Sequence, residues 1–217
     1  MEIVCLKYDM EDEETGRYIA SKILTTGGSS VRYFSRASLL WSDINKRCGN
    51  STSKNPRYAE VTNDFLDFQD FAEWANSEYG YKKQESSGRM WAIDKDILMQ
   101  GNKSYNANLC MFVPMQVNGL FISNVAKRGN LPIGVSMDRN SIKASCRDYV
   151  DGKSISVHLG MFGNYHEAHK AWQKAKVDII VKTANQYKEH KKLYYGLLHR
   201  ASQIESDLLN DKETIWR

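Results

Sequence analysis

Between residues 133 and 180 the period of the hydropathy pattern changes from two to between three and four, and this change restricts the fold more than any other stretch. Residues 133–137, 141–147 and 154–159 alternate or cluster as short strands, with turn residues at Asp138-Arg139-Asn140 and Asp151-Gly152-Lys153 between them. Ala168, Ala171, Trp172, Ala175, Ile179 and Ile180 then recur at helical spacing, with Lys170, Lys174 and Lys176 elsewhere on the helix surface. The pattern predicts a three-stranded antiparallel sheet covered on one face by a helix that starts near Tyr165. The other face is left open.

That open face lies in the basic part of the chain. The net charge is only +4, but residues 119–176 carry 9 Lys+Arg against 4 Asp+Glu, whereas residues 1–118 carry 14 against 16. Arg139, Lys143, Arg147 and Lys153 read as cations on the open face, with donors suited to phosphates or guanine edges. Basic residues on a solvated face also serve solubility alone.

A length of 217 residues allows a sizeable core or two small modules, and 41% apolar with 26% charged residues is ordinary for a globular protein. The sequence has no apolar run near the ~18 residues a membrane span needs, and the acidic N-terminus lacks the features of a signal peptide. No membrane association is expected, and the expected location is a cytoplasm. Cys5, Cys48, Cys110 and Cys146 form no CxxC pair, so reduced thiols are expected rather than a zinc site built on such pairs.

Ahead of the basic segment, residues 1–8 read as a strand, 9–14 as a solvated acidic turn, 17–24 as a short helix, and Thr25-Thr26-Gly27-Gly28-Ser29-Ser30 as a flexible break. Ser35 or Ser38 caps a helix carrying Leu39, Leu40, Trp41, Ile44 and Cys48. That helix ends at Gly49-Asn50, and a loop runs on to Arg57. Phe65, Phe68, Phe71, Ala72, Trp74 and Ala75 form an aromatic stripe assigned to packing. The stretch from Met90 to Asn118 then reads as strand, polar loop, strand and helix start. It places Asp94 and Asp96 beside Lys95, and Gln116 and Asn118 at the helix opening.

Tyr33-Phe34-Ser35-Arg36, Trp41, Arg47-Cys48, Glu73-Trp74, the run Ile93 to Leu98, Gly101-Asn102-Lys103, Tyr105, Cys110, Phe112-Val113-Pro114, Gln116 and Asn118 resemble the phage-encoded HNH (ββα-metal) endonuclease family. Leu131 to Val135, Lys143, Arg147, Val157-His158-Leu159-Gly160-Met161-Phe162 and Glu167-Ala168 resemble the DNA-binding domain of ethylene-response factors, which also rides on phage HNH proteins.

The first resemblance implies catalytic positions at Asp94, Lys95 and Asn108, with Asp94 and Gln116 as ligands of Mg²⁺ or Mn²⁺ if the nuclease is active. Lys95 stands where the family has its general-base histidine, and all five histidines lie beyond the motif. A lysine beside two carboxylates is held in its charged form, so Lys95 reads as a phosphate contact rather than a base. The second resemblance implies that Arg139, Lys143, Arg147 and Lys153 bind double-stranded DNA. Ala144 replaces an aromatic residue of that pattern.

The expectation is an α+β protein. It would have a helical N-terminal part with a ββα-metal-like unit, then a three-stranded antiparallel sheet packed on a helix, and a helical C-terminus. The boundaries fall at 1–32, an HNH-like module over 33–125, the ethylene-response-factor-like domain over 126–182, and a helical extension over 183–217. That extension carries Lys188, Lys191, Lys192 and Arg200, which read as a solvated basic face that also permits phosphate contacts, and it either folds back on the body or offers a surface to a protein partner. Two functions stay open: a metal-dependent nicking or homing endonuclease in the cytoplasm of a bacterial host, and a non-catalytic DNA-binding factor acting on transcription or host DNA.

Overall fold

Gly27 and Gly28 close a hairpin rather than forming a flexible break. Thr26 pairs with Ser29, so the two glycines are the whole loop, and their φ angles of +57° and +83° are the left-handed pair that a tight antiparallel turn requires. Strand β4 (Ser21–Thr26) therefore occupies much of the segment expected as a helix over 17–24. Ile23, Thr25 and Thr26 are β-branched, and a partner, β5 (Ser29–Phe34), follows at once. β1 (Glu2–Cys5) runs parallel to β5 on its other edge, in the order β1-β5-β4. The N-terminal part is thus sheet before it is helix, which corrects the helical expectation.

The structure, a computed structural model, describes residues 1–48, 58, 60–122, 128–150 and 152–216. The chain forms two units, the first made of residues 1–95 and 102–112 and the second of 96–101 and 113–217. Among the described residues no helix is long and apolar enough to cross a membrane.

In the first unit, β2 (Met10–Glu11) pairs with β3 (Tyr18–Ile19), and the acidic run around them is only partly solvated. The Asp9 carboxylate accepts from the Ala37 amide at 2.7 Å, the Tyr81 hydroxyl at 2.6 Å and the Asn76 side chain at 2.7 Å. Helix α1 (Arg36–Arg47) starts where the sequence predicts, with the Ser35 hydroxyl accepting from the Ser38 amide at 3.3 Å. The expected helix end at Gly49-Asn50 and the loop to Arg57 lie outside the described residues.

Helix α2 (Phe68–Ser77) is capped by Asp67, which accepts from the amides of Gln69 and Asp70 at 2.8 and 3.0 Å. The aromatic stripe is core, as expected. Phe71 is fully buried and meets Trp41, Phe65 and Trp74 at centroid distances of 5.6, 5.2 and 5.8 Å. Trp74 stacks on Phe112 at 5.5 Å. β6 (Thr62–Asn63) pairs in parallel with β8 (Ser104–Tyr105), and β7 (Ala92–Asp94) pairs with β9 (Met111–Val113).

In the second unit, a short helix α3 (Met115–Leu120) precedes an antiparallel sheet of β10 (Val135–Asp138), β11 (Ser141–Val150) and β12 (Lys153–Phe162). Asp138 pairs with Ser141 across a two-residue turn, and Val150 pairs with Lys153. Helix α4 (Tyr165–Gln186) starts at Asn164, whose side chain accepts from the Glu167 amide at 2.8 Å. It covers one sheet face, where Val135, Ala144 and Ala168 form one cluster and Leu120, Ile133, Cys146, Trp172 and Ile179 another.

Helix α5 (Lys191–Leu209) packs along α4, with Leu193 and Leu197 fully buried, so of the two readings of the C-terminal extension it folds back on the body. Two basic residues expected at the surface are buried. Arg200 is 5% exposed, bonded to Gln100 at 2.5 Å and lying over the Phe121 ring at 5.1 Å, and Lys176 is 2% exposed. Both fall on the apolar stripe of their helix: Lys176 lies four residues after Trp172 and four before Ile180, and Arg200 lies three after Leu197 and four before Ile204. Gln100 also donates to the Ile215 carbonyl at 2.5 Å, tying the excursion 96–101 into this unit.

Candidate nucleic-acid interface

Asp94 ends β7 and is half-buried, and the next residue turns inward. Lys95 is 9% exposed, and its ammonium donates to the Asn102 carbonyl at 2.5 Å. Asn102 returns the bond through its side chain, at 2.8 Å to the Lys95 carbonyl, and also donates to the Ser104 carbonyl at 2.7 Å. Lys95 and Asn102 thus clasp the two ends of the 95–102 excursion. Asn108 is exposed, in a turn built by Asn106, whose side-chain oxygen accepts from the amides of Asn108 and Leu109 at 3.1 and 3.0 Å. Gln116 lies in α3 of the second unit and donates to the Tyr187 hydroxyl at 2.5 Å.

A divalent cation such as Mg²⁺ is held by oxygen ligands, carboxylates first among them. Asp94 contributes one carboxylate with an ammonium on the adjacent residue, and the Gln116 amide is engaged with a tyrosine. Among the described residues no group of three or more His, Cys, Asp or Glu side chains gathers where an ion would fit. Asp94 is the one carboxylate among the expected metal ligands, and no hydrolytic step is assigned to a metal ion.

The sheet of the second unit is arranged differently. Side chains alternate across a strand, and directly paired residues share a face. On β11, Ile142, Ala144, Cys146 and Asp148 face α4, as Ala144 and Cys146 do in the two core clusters and Asp148 does through its 2.9 Å ion pair with Lys182 of α4. Lys143, Ser145 and Arg147 therefore stand on the opposite face. Their β12 partners are Met161, His158 and Ser156, and Ser136 of β10 pairs with Lys143. The pairing shifts between Ala144 and Ser145, where Leu159 is the extra residue on β12. Leu159 packs into both core clusters, so the shift keeps that side chain off the outer face, where Met161 is an exposed apolar residue.

Lys143 and Arg147 lie four residues apart on that face, roughly 13 Å along the strand. This is close to the ~12 Å width of a major groove, which admits a β-ribbon. Arg139 occupies the β10–β11 turn with φ +55°, exposed at one end of the ribbon, and Lys153 is exposed at the other end, where β12 starts. The acidic residue of the middle strand is turned away toward Lys182. No family model, curated protein or solved structure matches this chain.

Two features of this sheet were missed by sequence reasoning. His158 and the serines 136, 145, 154 and 156 line the outer face, and the alternation of Ser154, Ser156 and His158 along β12 was the signal available. Tyr149 turns its hydroxyl toward α3 into room left by Gly119, where an added Cβ would fall 1.9 Å from that oxygen.

Proposed function

We propose that the protein binds double-stranded DNA through the outer face of β10–β11–β12, with Lys143 and Arg147 reaching into the groove and Arg139 and Lys153 meeting phosphates at the ends. The observation that carries this reading is the register: both β11 cations point away from α4, Lys143 beside Ser136 and Met161 and Arg147 beside Ser156, while Asp148 points toward it. Arginine and lysine donors on a two-stranded ribbon suit phosphates and guanine edges alike. The inward engagement of Lys95 with the Asn102 carbonyl favours the non-catalytic factor.

The endonuclease reading keeps one support, the order β7, loop, β9, α3 with Asp94 at the end of its strand. Fluorescence anisotropy with a labelled duplex at several salt concentrations tests the sheet. Lys143→Ala with Arg147→Ala is expected to weaken binding at least tenfold and to reduce the slope of log affinity against log salt by about one to two. An unchanged affinity and slope would remove the sheet from the interface. Supercoiled DNA incubated with protein and Mg²⁺, Mn²⁺ or chelator is expected to stay supercoiled, whereas nicking abolished by Asp94→Ala would restore the endonuclease.

A further inference from the structure

The second unit holds a cavity of about 350 Å³, in the range of small-molecule pockets, beside the exposed edge of β11 beyond the end of β10. Its lining includes three cations, Arg128, Arg147 and Lys176, and no carboxylate. Lys176 is 2% exposed, and among the described residues no hydrogen bond or ion pair reaches its ammonium. Its neighbour is the ring of Trp216, 5.4 Å from the nitrogen. The nearby carboxylate of Asp148 is taken by Lys182 at 2.9 Å and by the Tyr149 amide at 2.7 Å.

Arg128 repeats the pattern. One guanidinium nitrogen donates to the Leu131 carbonyl, while the buried Nε has no acceptor among the described residues. A buried cation with unused donors is costly unless something supplies acceptors. The rest of the wall is largely apolar, with Leu120, Ile133, Trp172 and Trp216. Trp172 is held in place by stacking on His169 at 5.3 Å, and His169 itself is bonded to the Ile133 carbonyl at 2.9 Å and the Thr214 amide at 3.0 Å.

We propose that this cavity binds a small organic anion, its carboxylate or phosphate between Lys176 and Arg128 and its apolar, ring-sized body against Trp172 and Trp216. Such a ligand supplies the missing acceptors and negative charge and fills the apolar part of the wall. Burial lowers Lys176 from 10.5 to about 8, which leaves the amine cationic at neutral pH, with Cys146, Arg147 and Asp148 the other titratable groups acting on it. The site is independent of the DNA reading, although Arg147 borders both. A backbone phosphate of bound DNA is the other source of the same anionic group.

Calorimetric titration of the full chain at pH 7 with 2-naphthoate, 2-naphthamide, inorganic phosphate and a DNA duplex tests the proposal. Naphthoate is expected to bind at least tenfold more tightly than the isosteric neutral amide. Lys176→Met, which keeps the side-chain length and should fold at least as well, is expected to bring that ratio to about one without weakening the amide, and Arg128→Gln to reduce it. Equal binding of naphthoate and amide by the unmodified chain, binding of neither, or a preference unmoved by both variants would overturn the site. So would a response to the duplex alone that Lys176→Met abolishes, since the cavity would then hold a DNA phosphate.

Discussion

Replacing Lys176 by Met should stabilise the protein, and by an amount that depends on pH. The folded chain buries an ammonium whose pKa falls from 10.5 to about 8, with desolvation as the largest cause. The gap between those values corresponds to roughly 3 kcal/mol of penalty on the charged form. Between pH 8 and 10.5 the unfolded chain binds more protons at this position than the folded one, so stability rises with pH through that window. Below about 8 both states are protonated and the whole penalty is present; above 10.5 it has gone.

The methionine variant carries no such group. Its advantage over the parent should be largest at pH 7, roughly 3 kcal/mol, and should shrink toward the small packing difference as the pH approaches 10.5. Urea denaturation of both proteins at pH 7, 8, 9 and 10 measures this, and taking the difference between them cancels most of the contribution from tyrosines that titrate in the same range. The thiol of Cys146, raised by burial and lowered by Lys176, is the one neighbour that does not cancel fully. A difference that stays flat across the series, or a variant less stable than the parent at pH 7, would refute the claim that burial of this charge is uncompensated.

Two further substitutions test local geometry. Gly134 has φ +81°, and an added Cβ would fall 2.0–2.7 Å from the Cδ1, Cγ and Cβ atoms of Trp172, so Gly134→Ala combines backbone strain with overpacking. A loss of about 2–5 kcal/mol in urea denaturation is expected, and a loss under 1 kcal/mol would count against this packing. Arg139 adopts φ +55° in its two-residue turn, a conformation that costs an L-residue other than glycine roughly 1–2 kcal/mol. Arg139→Gly is therefore expected to raise the denaturation midpoint while weakening duplex binding in the anisotropy assay; a fall in stability would show that the side chain supports the turn.

The sheet and its helix were legible in the sequence because both periodicities were strong and the turns fell between them. The aromatic stripe was legible as core because its spacing left no other face for so many rings. The N-terminal hairpin was not. Two adjacent glycines read equally as a break or as a turn with two positive φ angles, and only pairing with β5 decides between them. Lys176 and Arg200 were assigned to solvent by residue type, although their spacing already put them on the apolar stripes. For the motif stretch, the order of elements was readable, but the inward turn of Lys95 depends on Asn102, seven residues away, and no local pattern announces that clasp.

The Lys95–Asn102 clasp pinches off the short excursion 96–101 and delivers Gln100 to the second unit, where it meets Arg200 and the Ile215 carbonyl. The second unit is therefore not a cassette that begins at residue 113. A fragment cut there would leave the buried Arg200 short of one acceptor and the C-terminal segment without one of its ties. The two units share a single thread, and neither can be lifted out with one cut.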